Sequence, residues 1–95
     1  MSFEYTVHVD WALNHYSPSI LEKLGSLLPN ARLSDDGSSL LITSDHSNWI
    51  DFSIEKSEDG FWVVCNANGT AREHFLSLTG KVLDDLDIKH SIDEA

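Results

Sequence analysis

The sequence predicts an α+β fold, a two-layer sandwich in which a mostly antiparallel sheet of four or five strands carries two helices on one face. Three observations predict it. Apolar and polar residues alternate over several separate runs, the mark of half-buried strands. Two longer stretches instead repeat apolar residues at three- and four-residue intervals, the mark of helices with one buried stripe. Finally, 95 residues, 41% of them hydrophobic, suffice for one core and not two, so residues 1–95 are read as one domain. The element order is β-α-β-β-β-α, four strands, or five with an optional final short strand.

Residues 3 to 11 alternate without a fault, with Phe3, Tyr5, Val7, Val9 and Trp11 on one face and Glu4, Thr6, His8 and Asp10 on the other. Asn14 to Ser17 break the pattern. Ser17-Pro18, or Ser19 with Glu22 three residues on, then supplies helix-start chemistry. Ile20, Leu21, Leu24, Leu27 and Leu28 give an apolar face over 18–28, and Pro29-Asn30 ends it. Ala31 to Leu33 can extend, and Ser34-Asp35-Asp36-Gly37-Ser38 is turn chemistry before a strand at 39–43. The first strand and the strand after the first helix are candidates for parallel neighbours joined by a right-handed crossover.

A polar loop from Ser44 to Asn48 leads to a strand at 49–56, where Ile50, Phe52 and Ile54 face one way and Trp49, Asp51, Ser53 and Glu55 the other. Ser57-Glu58-Asp59-Gly60 joins it to Phe61–Asn66, with Phe61, Val63 and Cys65 inward, and Asp-Gly between alternating runs signals a hairpin. Thr70-Ala71-Arg72-Glu73 is a capping box before Phe75, Leu76, Thr79, Val82, Leu83 and Leu86, which recur at helical spacing. The sequon Asn68-Gly69-Thr70 is accordingly read as a turn and an N-cap rather than a glycosylation site. Gly80 inside this helix costs about 1 kcal/mol relative to Ala, which implies close packing against the sheet or a weak point. Ile88, His90 and Ile92 then alternate with Lys89 and Ser91 as the last short strand.

Sixteen acidic against six basic side chains leave a net charge of −10, a field that repels phosphate backbones and anionic membranes. Direct nucleic-acid binding is therefore not expected. The longest apolar run, Phe61 to Cys65, is far short of the ~20 residues of a spanning helix, so no membrane insertion is expected either. One cysteine, Cys65, and no basic-then-apolar leader predict a cytoplasmic chain without an intramolecular disulfide.

The charge is not uniform. Residues 1–34 carry −1, residues 35–59 carry −6, residues 60–83 carry +1 and residues 84–95 carry −4. The middle block holds Asp35, Asp36, Asp45, Asp51, Glu55, Glu58 and Asp59; the terminal block holds Asp84, Asp85, Asp87, Asp93 and Glu94. Strand parity turns Trp49 and Trp62 away from the core, among these carboxylates. Tryptophans in a desolvated patch supply much of the energy of protein interfaces. Asp35, Asp36, Trp49, Asp51, Glu55, Glu58, Asp59 and Trp62 are therefore the candidate partner-binding residues, and the expected partner is a basic protein.

Catalytic and metal constellations are sparse. His8, Asp10 and His46 could offer donors to a divalent cation, but their spacing matches no recurrent metal motif, and no metal or cofactor is expected. Asp84-Asp85-x-Asp87 lacks the glycine and terminal glutamate of a calcium loop and sits unfavourably against a helix dipole. Cys65 shares the inward parity of Phe61 and Val63 and reads as a core residue rather than a nucleophile. A noncatalytic protein, a monomer or weak dimer, is the expectation.

A chain under 100 residues with an antiparallel sheet, two helices, clustered acids and outward Trp49 and Trp62 resembles the small bacterial immunity proteins that neutralise cationic toxin domains. In charge it is also similar to acidic inhibitors that mimic DNA. The resemblance covers architecture and charge over the whole chain and rests on no diagnostic motif. It implies steric and electrostatic blocking of a basic toxin or nuclease cleft, with carboxylates such as Asp35, Asp36, Asp51, Glu55, Glu58 and Asp59 standing in for phosphates. The alternative is a small accessory or ligand-binding subunit whose acidity serves solubility.

Overall fold

A computed structural model describes residues 2–45, 49–67 and 69–95. Its elements are β1 (Phe3–His8), α1 (Ser19–Ser26), β2 (Ala31–Leu33), β3 (Ser39–Thr43), β4 (Ile50–Ser57), β5 (Gly60–Cys65), α2 (Gly69–Asp85) and β6 (Ser91–Glu94). The fold is α+β, with all six strands in one sheet of order β2-β3-β4-β5-β1-β6 and every neighbouring pair antiparallel. The strand count exceeds the expected four or five because Ala31–Leu33 and Ser91–Glu94 both pair, one at each edge.

The expected parallel pairing of the first strand with the strand after α1 does not occur. Short connections lay β2 to β5 side by side as a meander, which leaves the free edge of β5 as the place for β1. There β1 pairs over its whole length, from Phe3↔Cys65 to His8↔Gly60. β1 is also shorter than the alternation suggests. The Asp10 carboxylate accepts the Ala12 N–H (2.9 Å), and its carbonyl accepts those of Leu13 (3.1 Å) and Asn14 (3.0 Å), so the chain turns before Trp11. Trp11 still packs inward, edge-on to Phe61 and Tyr16.

Both helices cover the same face. Ile20, Leu21 and Leu24 of α1 and Thr79, Val82 and Leu83 of α2 meet Ile54 and Phe61 of the sheet around one small interior space. Val7, Val9, Leu40, Ile42, Phe52, Val63, Cys65 and Phe75 complete the core, with Phe52 and Phe75 stacked at 4.5 Å. Among the described residues no helix lies on the other face of the sheet, which is what exposes a candidate site.

The helix ends differ from expectation in instructive ways. At α1 the N-cap position is Pro18, which makes no side-chain cap bond, and the Ser17 hydroxyl instead accepts the Ser19 N–H (3.3 Å). A reciprocal capping box needs an N-cap N–H, and proline has none. α2 starts at Gly69 (φ 62), so Thr70, expected as the cap, lies inside the helix; Asn68 of the sequon lies outside the described residues. Gly80 is approached by the His90 ring, not by the sheet: a Cβ there would sit 3.4 Å from His90 Nε2.

α2 closes with paired bonds, Ile88 N–H to Leu83 C=O (2.8 Å) and Asp87 N–H to Asp84 C=O (3.0 Å), around Asp87 at φ 59. This left-handed position usually holds glycine, and a carboxylate there also opposes the helix dipole. Asp87→Gly is therefore expected to stabilise the domain by about 1 kcal/mol, a rise of roughly 4–8 °C in Tm. A thermal melt followed by circular dichroism checks this, and an unchanged or lowered Tm contradicts it.

The topology sets up two ends. One, the turn end, gathers the β2–β3 turn, the β4–β5 turn, the end of β1 and the start of β6, tied together by Lys56 N–H to Ser38 C=O and Val9 N–H to Asp59 C=O, both 2.8 Å. The C-terminus of α2 reaches this end too, where Leu86 and Ile88 lie beside residues 13–20. The far end holds Asp45, Trp49 and Asp51, the ends of β3 and β5 and the start of β1.

Candidate partner-binding face

The uncovered face of the sheet displays the side chains of opposite parity to the core. Cross-strand pairing aligns Ser39, Glu55, Trp62, Thr6 and Asp93 in one row across five strands. The neighbouring row runs Arg32, Leu41, Ser53, Val64, Glu4. Trp62 and Val64 are thus central and half-buried, with Glu55 and Glu4 as their paired neighbours, the exposed Leu41 beyond Ser53 and Asp93 beyond Thr6. Opposing charge on this face comes from Arg32 at the β2 edge, and His8 Nε2 lies 2.9 Å from Asp93 Oδ2.

At the turn end of the sheet stand the exposed side chains of Asp35, Asp36, Glu58 and Asp59, and Asp10 lies in the segment after β1. An open groove of about 460 Å³ runs between the latter segment and the β4–β5 turn, lined by His8, Asp10, Trp11, Glu58 and Asp59 among others. Asp36 is built into its turn, where one carboxylate oxygen accepts the Ser34 hydroxyl (2.8 Å), the Ser38 hydroxyl (2.7 Å) and the Ser38 N–H (3.0 Å). Those bonds from Ser38 and then Ser34 pull its pKa down to about 2, so the turn keeps its charge well into acid. The stabilisation this gives is complete above the usual carboxylate range and is lost as pH falls toward about 2. Behind the turn, the Tyr16 hydroxyl donates to the Gly37 carbonyl. Tyr16 is itself shifted upward, first by burial and then by the Asp36 charge.

Lys56, the one Lys or Arg among residues 35–59, does not neutralise this cluster from the outer face. It has the opposite parity to Glu55, and its Nζ lies 5.8 Å from the ring centroids of Trp11 and Tyr16 on the helix side. The cation is thereby placed over aromatic faces.

Of the eight residues singled out from the sequence, six lie on the outer face or at the turn end: Asp35, Asp36, Glu55, Glu58, Asp59 and Trp62. The structure does not bring Trp49 and Asp51 to them. Trp49 is 62% exposed, but at the far end, and Asp51 is separated from Glu55 by four residues along β4, ~13 Å. An irregularity in the pairing beside Thr43 and Ile50 also breaks the alternation that put Trp49 in register with Glu55. Asp45 is held at that end by the Asn30 side-chain amide (2.7 Å). Glu4 and Asp93 join the face instead. Their polar parity was visible in the sequence, but their nearness to Trp62 depends on β1 lying between β5 and β6.

Other candidate chemistry is dispersed. Among the described residues no group of three or more His, Cys, Asp or Glu side chains is arranged to hold a metal ion; His46 lies outside them. Cys65 is fully buried, and burial pushes its thiol up to about 11 against the opposing pull of Arg72, so it stays protonated at neutral pH. No described helix is long and apolar enough to cross a membrane. No protein-family model, curated protein or solved structure matches the chain.

Proposed function

We propose that this chain is a noncatalytic binding module for a basic protein, acting as an immunity-type inhibitor that covers the cationic cleft of a toxin or nuclease domain. The observation that carries the reading is the placement of Trp62 between Glu55 and Thr6 on an uncovered sheet face, with Glu4 and Asp93 nearby and four turn carboxylates at one end. An aromatic centre with a charged rim is the anatomy of a protein interface. The acids steer a cationic partner and occupy the phosphate positions of its cleft, and the tryptophan and its apolar neighbours supply the desolvated contact. The direction of Lys56 supports it, since this neighbour of Glu55 in the chain lies over Trp11 and Tyr16 on the helix side.

The face separates two substitutions of equal charge change. Immobilised parent, Glu55→Lys and Asp51→Lys proteins are exposed to lysate of the source cell and eluted with increasing salt. A basic protein is expected to bind the parent and Asp51→Lys columns and to elute at moderate salt, with its retention on Glu55→Lys cut by about tenfold or more. Equal retention on all three columns contradicts the reading. Capture of no basic protein does so too, and leaves the acidity to serve solubility.

A further inference from the structure

We propose that the pocket at the far end of the domain binds a small organic ammonium ion whose apolar body is about one ring in size. The pocket lies between the α1–β2 connection, the end of β3, the start of β4 and the first two turns of α2. It is separate from the Trp62 face and does not rest on the reading of that face. It has a volume of about 190 Å³, and its lining is largely apolar, with Leu28, Ile42, Phe52 and Phe75 as its main contributors. A cavity of about 150 Å³ is enough for a benzene ring, whereas drug-sized ligands take about 300 Å³ or more, so the space suits a single ring.

The wall is fixed before any ligand arrives. Ile42, Phe52 and Phe75 are buried, and the two phenyl rings stack at 4.5 Å with planes 7° apart. Asn30, at φ 60, donates its side-chain amide to Asp45 Oδ1 (2.7 Å), and its carbonyl accepts the Thr43 N–H (3.3 Å). The Asp51 carbonyl accepts the Asn66 N–H (2.7 Å). A ligand that meets a wall braced in this way bears little of the ordering cost of binding. The irregularity in the β3–β4 pairing, between Ile42 and Thr43, also falls within this wall, and bulges of that kind recur beside binding sites, where they re-aim side chains.

The charge selects the occupant. Asp45 and Asp51 both line the pocket, and among the described lining residues there is no lysine or arginine; His74, exposed on α2, is the remaining titratable group. A concave apolar surface bearing charge of one sign concentrates ions of the other. An ammonium group gains from the two carboxylates, an alcohol of the same shape gains little, and a carboxylate is repelled.

The test uses the isotope-labelled full chain at neutral pH and physiological ionic strength, with three probes of similar shape: phenethylammonium, phenethyl alcohol and hydrocinnamate. NMR titration is expected to show phenethylammonium shifting Ile42, Asp51, His74 and Phe75 with a Kd of about 1 mM or tighter. The alcohol is expected to bind about tenfold more weakly, and hydrocinnamate not to bind. Asp45→Asn combined with Asp51→Asn keeps an oxygen to accept from Asn30 and is expected to bring the ammonium and the alcohol within about threefold of each other. Ala71→Leu, at an exposed helix position lining the space, is expected to abolish binding of both without lowering Tm. Equal affinities of the parent for ammonium and alcohol, a preference that survives the double substitution, or binding that survives Ala71→Leu overturns the site. Shifts confined to the surroundings of Glu55 and Trp62, or none at millimolar probe, do so too.

Discussion

Gly60→Ala is expected to cost roughly 3–5 kcal/mol, a large share of the about 5–15 kcal/mol that holds a domain of this size folded. A Cβ at this position would lie 1.9 Å from the Val7 carbonyl oxygen and 2.7 Å from the Val9 amide nitrogen. Both are backbone atoms of the strand and its extension that pair with β5, so neither can swing aside as a side-chain tip would. The backbone is also at φ 138, which an L side chain rarely adopts. Relief requires β1 to separate from β5, and β1 also carries the edge strand β6, so both outer strands loosen together. Gly69→Ala is the control. It shares a positive φ of 62 but has nothing within 4 Å of the added Cβ, so it is expected to cost only about 1 kcal/mol. Urea denaturation of the two variants checks the contrast, and similar losses contradict the close approach of β1 to β5.

Trp62→Ala is expected to weaken binding of the basic partner by about 2 kcal/mol or more, roughly 30-fold, while the fold is kept. The side chain stands on the face opposite the helices, paired across strands with Glu55 and Thr6, and contributes nothing to the core formed by Phe61, Val63 and Cys65. Removing it takes the large apolar area from the centre of the acidic rim and leaves the charges in place, so the association rate should change little and the dissociation rate should rise. Trp49→Ala, at the far end, is expected to leave affinity within about twofold. Calorimetry of both variants against the captured protein decides between them. Equal effects would mean that the interface is not centred on Trp62.

Much of the architecture was legible in the sequence because most strands are half-buried. Alternation identified β1, β4 and β5 with their inward residues, and Asp59-Gly60 located the hairpin between the last two. The role of Gly60 was not legible. Glu58 and Asp59 make the turn, and Gly60 is required by a strand more than fifty positions away in the chain. Strand order was hidden for the same reason, since the alternation of β1 says which face it buries but not which neighbour it pairs with. The six-strand count turned on short edge segments, Ala31–Leu33 and Ser91–Glu94, whose patterns are too brief to be diagnostic.

For the candidate site, parity alone identified Trp62 and Glu55 correctly as outward, because the pairing of β4 with β5 is regular where they sit. It failed to separate Trp49 and Asp51 from them, since distance along a strand is invisible to parity and the pairing irregularity lies beside Ile50. The two acidic blocks also divide differently in space than in sequence. Asp93 joins the sheet face, Asp85 and Asp87 sit at the turn end on the helix side, and Asp45 and Asp51 stay at the far end. Segment charge therefore did not mark which surface the carboxylates share.

The central claim is that a basic protein docks on the face around Trp62 and the turn end beside it. Amide chemical shifts of the isotope-labelled chain, recorded with the captured basic protein added in steps, test this most directly. The account predicts perturbations at residues 4–6, 35–36, 53–64 and 91–93, with Trp49, Asp51, Arg72 and His74 unmoved. Shifts concentrated at Trp49, Asp51 and the start of α2, or spread evenly over the surface, would contradict it.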